Sequence, residues 1–361
     1  YSLGYRFHSY SEDQLTSDKQ VGETTDRYDI RVNQFHLDMT WPDKAKFALA
    51  VQREVMSGAS PWYTVKSEDG TVKQVMSGAT IRDTRTDVVL RGDYLTEQQN
   101  FGVMLNFSEE DDYQSLGLGA EYSVDFNDKH NTFTFAADFA NDDIAPTDSD
   151  IFTDRPVEES KHSVSFFASL SQILSKNAIV QFGLSYSIKS GYLSDPYKLA
   201  NVNSNVVNDS RPERRTLKAA SIKYRHFFST YQGALHLDYR YFWDTWDIEA
   251  HTLDVNFHQP LPAKFKLVLG ARFYNQSASY FYEHYYDNAR ADSYYSTDYR
   301  LSEYGAVTYL LELSKAIDAV RLYLNWQNYQ SGGNKAWANA VDENPALLDF
   351  TLLSAGFEYR F

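Results

Sequence analysis

Residues 131–140 read NTFTFAADFA. Phe133, Phe135, Ala137 and Phe139 fall on one phase of a two-residue period, and Thr132, Thr134, Ala136 and Asp138 fall on the other. A period of two is that of an extended strand with one apolar face and one polar face. Just before the stretch stands the short NDKH, at 127–130. Just after it comes a long polar and acidic segment, NDDIAPTDSDIFTDRPVEES, at 141–160. A strand between a short and a long connection is the unit from which the rest of the chain is read.

Further out the same signal recurs. AVRLYLNWQ sets Val320, Leu322, Leu324 and Trp326 against Arg321, Tyr323 and Asn325. FKLVLGARF sets Phe265, Leu267, Leu269, Ala271 and Phe273 against Lys266, Gly270 and Arg272. Short connections are PDK (42–44), EQQN (97–100), SKN (175–177), TYQG (230–233), QPLPAK (259–264) and SKAID (314–318). Between them lie mostly longer polar ones, such as SEDQLTSDKQVGETTD (11–26), SDPYKLANVNSNVVNDSRPERR (194–215) and SGGNKAWANAVDENPALL (331–348). Alternation of this kind predicts an all-β, transmembrane antiparallel β-barrel, with short periplasmic turns and long extracellular loops. A soluble sandwich or solenoid is the alternative. So many aromatic strand faces would need a very large core there, and the chain lacks the helices that usually cover one.

Sixteen strands are expected, near 1–10, 27–41, 45–56, 79–96, 101–108, 113–126, 131–140, 161–174, 178–190, 215–229, 234–246, 249–258, 265–278, 297–313, 319–330 and 349–361. The even count puts both termini on the periplasmic side. Closure pairs every backbone group, as a membrane core demands. The whole chain, 1–361, reads as one domain. Strand two changes phase: Tyr28, Ile30 and Val32 alternate in one register, and Phe35, Leu37, Met39 and Trp41 in the other. A bulge near Gln34 or a strand rising past the bilayer accounts for this. VMSGA occurs twice, at 55–59 and 75–79, bracketing an outer loop tipped by SEDG. The two copies are placed where they could pair as a small antiparallel extension, with Gly58 and Gly78 as tight bends; a chance duplication or a simple loop brace is the plainer reading, and a ligand-binding role the third.

Composition narrows the classes. There are 28 Tyr and 23 Phe but 4 Met and 0 Cys. The lack of Cys excludes disulfides, thiolate metal sites and Cys nucleophiles. The net charge of -15 argues against a nucleic-acid groove, which needs clustered Lys and Arg. The mean hydropathy is -0.52, and no run approaches the length of a transmembrane helix. The start, YSLGYRF, has no signal-peptide pattern, so a leader is expected to be absent or removed. LLSAGFEYRF carries Leu353, Ala355, Phe357, Tyr359 and Phe361 in one phase. This resembles the terminal signal read by the bacterial outer-membrane assembly machinery, with Phe357, Tyr359 and Phe361 as its core.

Several loop stretches carry a resemblance to a family: SGASPW (57–62), GYLSDPYK (191–198), RPERRT (211–216), ALHLDYRYFWDTWDIEAHTLD (234–254), RFYNQSASYFY (272–282) and YSTDYRLSEYGA (295–306). They resemble motifs of a bacterial outer-membrane β-barrel family of unknown function, over most of the chain and most densely from residue 191 onward. The resemblance implies the outer membrane of a Gram-negative bacterium, with outer-membrane lipids and lipopolysaccharide as surroundings. It implies no activity. Relatives' genes near those of a small lipoprotein and a periplasmic flavin-transfer enzyme suggest a small lipoprotein or periplasmic redox protein as a partner.

Function is expected on the inward face, because lipid-facing positions are apolar. Taking the apolar phase as outward, the pore-lining candidates are Gln52, Glu54, Asp87, Arg91, Asp93, Glu121, Asp138, Lys223, Arg225, His236, Asp238, Arg240, Asp254, Arg272 and Arg321. They read either as a salt-bridge lattice stiffening the wall or as an eyelet whose transverse field selects solutes. His236 and Asp238 share a strand face but lie roughly 7 Å apart along it, which suits a hydrogen-bond network better than a metal site. Glu109, Glu110, Asp111 and Asp112 read as a solvated acidic tip. Acidic outer loops offer oxygen ligands to Ca²⁺, although no EF-hand spacing occurs. No other cofactor is expected. Catalysis is weakly supported: Ser, His and Asp are all present, but no GxSxG stands in a strand–turn–helix context. The first functional expectation is a porin-like channel for small solutes or ions. The second is a scaffold or sheath around a lipoprotein or electron-transfer partner. An outer-membrane enzyme comes last.

Overall fold

The computed structural model describes residues 1–22, 26–41, 44–77, 81–338, 340 and 342–361. Among them twenty strands form. In chain order they are β1 (Ser2–Glu12), β2 (Asp29–Trp41), β3 (Ala45–Gly58), β4 (Pro61–Lys66), β5 (Val72–Met76), β6 (Ile81–Leu95), β7 (Gln99–Glu109), β8 (Tyr113–Phe126), β9 (Asn131–Ile144) and β10 (Glu159–Ser175). There follow β11 (Ala178–Gly191), β12 (Leu199–Val202), β13 (Asn205–Asn208), β14 (Arg214–Phe228), β15 (Gly233–Asp244), β16 (Glu249–Leu261), β17 (Phe265–Gln276), β18 (Tyr304–Ile317), β19 (Val320–Gly332) and β20 (Phe350–Arg360). Sixteen of them close into an antiparallel barrel, with β1 paired to both β2 and β20. The other four form two hairpins outside the wall, β4–β5 and β12–β13.

Closure follows from the two-residue period. In antiparallel pairs, directly opposed residues share a face, so each register fixes which phase points out. Leu118 faces Phe139, Phe139 faces Val164, and Leu324 faces Leu313 and Ala355. Leu324 is 62% exposed and Leu184 64%, although both stand mid-strand in a fully paired sheet. Large apolar side chains left open all round a closed sheet are the lipid-facing band of an outer-membrane β-barrel.

The turn end of the barrel is built from very short connections: 96–98, 127–130, 176–177, 229–232, 262–264 and 318–319. In NDKH, Asn127, Asp128 and Lys129 all adopt positive φ, near 53°, 52° and 64°. Asn and Asp tolerate that region better than most residues, which lets the chain reverse in so few steps. The loop end carries eight connections: L1 (13–28), L2 (59–80), L3 (110–112), L4 (145–158), L5 (192–213), L6 (245–248), L7 (277–303) and L8 (333–349). The β4–β5 hairpin lies in L2 and the β12–β13 hairpin in L5.

Three expectations need correction. The strand expected at 297–313 is β18, which runs from Tyr304 to Ile317. Thr297 to Glu303 alternate in sequence, but Asp298 caps a 3₁₀ turn at Tyr299–Leu301 that belongs to L7. The expected SKAID turn shrinks to residues 318–319, where Asp318 takes a φ near 49°. Second, β2 has no bulge: its pairing with β1 and β3 is continuous from Asp29 to Asp38 and from Asp29 to Trp41. Phe35 and Trp41 point outward, and so do Asp29 and Arg31 higher on the same phase, above the apolar band. Third, the VMSGA copies do not pair with each other. The first ends β3, while Val75 and Met76 pair with Tyr63 and Pro61 of β4. Among the described residues the two copies meet through packing of Leu15, Ala59 and Met76. Gly78 lies outside the described residues. Gly58 is needed, with φ near 141° and a Cβ that would stand 2.4 Å from the Arg27 carbonyl oxygen.

Candidate functional site

The register places all fifteen inward candidates on the phase opposite the lipid-facing one. On β3, Gln34 of β2 donates to Gln52, and Gln52 donates to Glu54. On β6, Arg91 bridges Asp93 and Glu121 of β8, at 2.8 Å to each. Asp87 accepts from Arg85 of the same strand at 3.0 Å. Asp138 of β9 stands across from Gly119. On the far side, Arg225 forks onto Asp238, with Nη2 2.9 Å from Oδ2. Arg272 meets Asp254 at 2.6 Å. Lys223 is paired in register with Asp238, and Arg240 lies over the Phe242 ring at 5.5 Å. Arg321 lies opposite Glu358. His236 meets not Asp238 but His258 of β16, with ring centroids 4.0 Å apart.

The inward charges are sorted by side. The arc from β2 to β10 presents Asp38, Glu54, Asp83, Asp87, Asp93, Glu121, Asp125, Asp138, Asp142 and Glu159 against Lys46, Arg85, Arg91 and Lys161. The arc from β11 to β17 presents Lys189, Arg215, Lys223, Arg225, Arg240, Lys266 and Arg272 against Asp238, Asp244 and Asp254. One wall is acidic and the facing wall basic, so a field runs across the lumen.

Five of the fifteen candidates line one lumen cavity of roughly 620 Å³: Lys223, Asp238, Arg240, Asp254 and Arg272. Its other wall is aromatic, with Tyr274, Tyr304, Tyr329 and Phe350 from four consecutive strands. Tyr274 and Tyr304 have ring centroids 5.6 Å apart, and Tyr329 stacks on Phe350 at 4.7 Å. Tyr10 of β1 continues the row, 4.7 Å from Phe350. Sequence reading missed these rings. The signal was an aromatic residue in the polar phase at the loop end of neighbouring strands, as in Phe350 before the outward series Leu353, Ala355 and Phe357.

The loops fold over the mouth. L2 and L7 spring from nearly opposite sides of the barrel, yet the Thr64 hydroxyl donates to the His284 carbonyl and Lys66 pairs with Asp287 at 2.8 Å. Lys198 of L5 donates to the Pro61 carbonyl of L2 at 2.9 Å. L1 and L8 are tied by Lys19 to Glu343 at 2.7 Å and by Arg27 to the Ala346 carbonyl at 3.0 Å. Apolar packing of Trp246, Ile248, Phe281 and Leu301 joins L6 to L7, and Ala200, Val202 and Tyr286 join L5 to L7. At the centre lies an ionic chain, buried at Asp298, Asp209 and Arg211 and open to solvent at Arg300. Asp298 takes Arg211 at 3.0 Å and also Arg300, which reaches Asp195 at 2.8 Å, while Arg211 holds Asp209 at 2.7 Å. Burial pushes Asp298 up, but Lys198, Arg300 and Arg211 outweigh it and hold the carboxyl far below the usual range. The Asp298 carboxylate therefore stays ionised throughout the physiological pH range, while burial pushes Asp209 up.

A second cavity of roughly 620 Å³ lies between the cap and the acidic wall, with Trp62, Phe152, Arg155, Tyr197 and Tyr299 around it. Asp83, Glu110 and Asp112 bring carboxylate oxygens within 4.8 Å of one another there. The expected solvated tip is therefore split: Glu109 and Asp111 are exposed, while Glu110 and Asp112 turn inward and are half-buried. Burial, then the charge of Asp83, pushes Glu110 up to about 7. Burial also raises Asp112, against the hydroxyl of Tyr197 that donates to it. Three hard oxygen donors in mutual reach are the chemistry that a divalent cation would meet. At the turn end, Phe357, Tyr359 and Phe361 share the outward phase, with Phe361 stacked 5.8 Å from Tyr1.

A family model described as "Protein of unknown function (DUF3570)" matches residues 5–341. No curated protein is similar to the chain at a significant level. Some solved outer-membrane structures are similar to the chain at low identity. The ferric enterobactin receptor PfeA of Pseudomonas aeruginosa, as an R480A, Q482A mutant, is similar at 8% identity and a TM-score of 0.44, over 91% of this chain and 53% of that one. A loop-deletion mutant of OmpT, an outer membrane protein of Vibrio cholerae, is similar at 9% identity and a TM-score of 0.43, over 99% and 97%. A mutant of the TodX monoaromatic hydrocarbon channel is similar at 9% identity and a TM-score of 0.47, over 100% and 90%. The chain spans about half the length of the PfeA receptor.

Proposed function

The chain belongs to the DUF3570 family, a membership that brings no activity with it, and from the geometry we propose that it is a channel for small polar solutes in the outer membrane of a Gram-negative bacterium. The loop end faces the cell exterior and the turn end the periplasm. A sixteen-stranded barrel is too wide for its own side chains to fill, so its lumen holds water unless something plugs it. The observation that carries the reading is the inward phase: it is polar or charged on strand after strand, and its charges are segregated across the lumen. The cap over the mouth makes this a restricted channel rather than an open porin. Solutes enter beside the cap through the acidic cavity, where Asp83, Glu110 and Asp112 favour cations and neutral molecules over anions.

Planar-bilayer recording tests it. The folded barrel is expected to pass a small current with a cation preference, and Glu54→Gln with Asp93→Asn together should weaken that preference. Absence of current from folded protein would contradict the channel. It would favour the sheath, in which a small lipoprotein or periplasmic redox protein enters through the turn end, where the short connections are no roof.

A further inference from the structure

We propose that the aromatic-walled lumen cavity is a binding subsite for a neutral pyranose sugar, which deepens the channel reading by naming its solute class and rests on it. Tyr274, Tyr304, Tyr329 and Phe350 reach the cavity from four adjacent strands, staggered along the loop-end half of the wall. The rings are half-buried against one another and turn the remainder of their surface to the cavity. Their π-faces are electron-rich. The axial C–H groups of a pyranose carry the complementary partial positive charge and present a flat apolar face to such rings. Tyr329, backed by Phe350 at 4.7 Å and 14° and held in place by it, offers a platform of that kind.

The adjoining stretch of wall, from β14 to β17, supplies what the hydroxyl edge of a sugar needs. Arg272 is already paired with Asp254, and Asp238 with Arg225. An ion-paired guanidinium and carboxylate still have spare donors and acceptors. Side by side they match vicinal hydroxyls, each of which both gives and takes a proton. Thr252 and Gln327 add neutral partners on the same cavity. The volume, roughly 620 Å³, is that of a small-molecule site.

Two other solute classes fit less well. A flat aromatic molecule would use the rings but leave the Arg272–Asp254 pair desolvated and unanswered, which costs more than the stacking gains. An anion would meet the acidic cavity on its way in, and three cations and two carboxylates nearly balance in this cavity.

Equilibrium binding to the full-length folded barrel, read by saturation-transfer NMR, tests the proposal without requiring conduction. The probes are methyl α-glucopyranoside, sorbitol as an open-chain polyol, and glucuronate as an anionic ring. The glucoside is expected to bind saturably, and sorbitol about fivefold more weakly or worse, because it has no ring face to stack. Tyr329→Ala and Phe350→Ala should each weaken the glucoside about fivefold, and Tyr329→Phe should retain it. Heat-modifiable mobility on a gel confirms that each variant is folded. Equal binding of sorbitol, unchanged binding in the alanine variants, or no saturable binding of the glucoside overturns the site. Tighter binding of glucuronate overturns the neutral class and assigns the cavity to Lys223 and Arg240 as an anion site. Binding without current would sink the channel alone, and current without binding would sink the subsite alone.

Discussion

Leu324 and Asn325 are neighbours on β19 that face opposite surroundings. Leu324 packs between Leu313 and Ala355 on the outward phase, while Asn325 turns inward beside Gln327, whose amide donates to it at 3.1 Å. Leu324→Arg places a charge in lipid and should destabilise the barrel by roughly 2–4 kcal/mol near the midplane. Asn325→Arg should cost much less. Reversible urea unfolding in lipid vesicles measures both, and equal costs would contradict the register assigned to β19. Glu110 makes a second test at this scale. Its folded value of about 7 lies above its ordinary 4.5, because burial and then Asp83 oppose its charge. The folded state therefore holds the proton longer than the unfolded one, and stability falls as pH rises from about 4.5 to about 7. Glu110→Gln should remove that slope and stabilise the protein at pH 8, by no more than about 1–2 kcal/mol after solvent screening. Thermal melts across that window check it, and an unchanged slope would place the titrating group elsewhere.

The strands and the loops were unequally legible, for a physical reason. A strand writes its face into every second residue, so NTFTFAADFA and AVRLYLNWQ each declare their register locally. Sixteen strands and fifteen inward positions could be read in that way. The cap writes nothing local. Thr64 and His284, or Arg27 and Ala346, are brought together by the barrel's closure across hundreds of residues. The start of β18 was misread because Thr297 to Glu303 imitate strand alternation while Asp298 is held in the ionic centre of the cap. The carboxylates of Glu110 and Asp112 looked solvated because their partner Asp83 lies on another strand. Glycines offer an element-level test. A Cβ on Gly58 would press into the backbone of residues 27–28, at a φ that side chains rarely adopt, whereas one on Gly92 would meet nothing within 4 Å. Gly58→Ala should cost more than about 1 kcal/mol, and Gly92→Ala should stay within about 0.5 kcal/mol of wild type. Comparable melting of both variants would contradict the tight junction between β3 and L1.

At the scale of the whole molecule, the barrel is a wall sorted by charge, with a lid tied across it. The lid is anchored by the ionic chain Asp195–Arg300–Asp298–Arg211–Asp209 and by the β4–β5 hairpin reaching from L2 to L7. None of the barrel's own ladder runs through that hairpin. Removing residues 62–76 should therefore leave the sixteen-stranded wall intact and open the mouth. The most direct measurement is the single-channel conductance of this deletion beside that of the intact protein, both folded. A restricted channel predicts a small conductance for the intact barrel and a severalfold larger one for the deletion, with weaker cation preference because the entry no longer passes the acidic cavity. Equal conductance in the two, or no current in either, would contradict a capped channel.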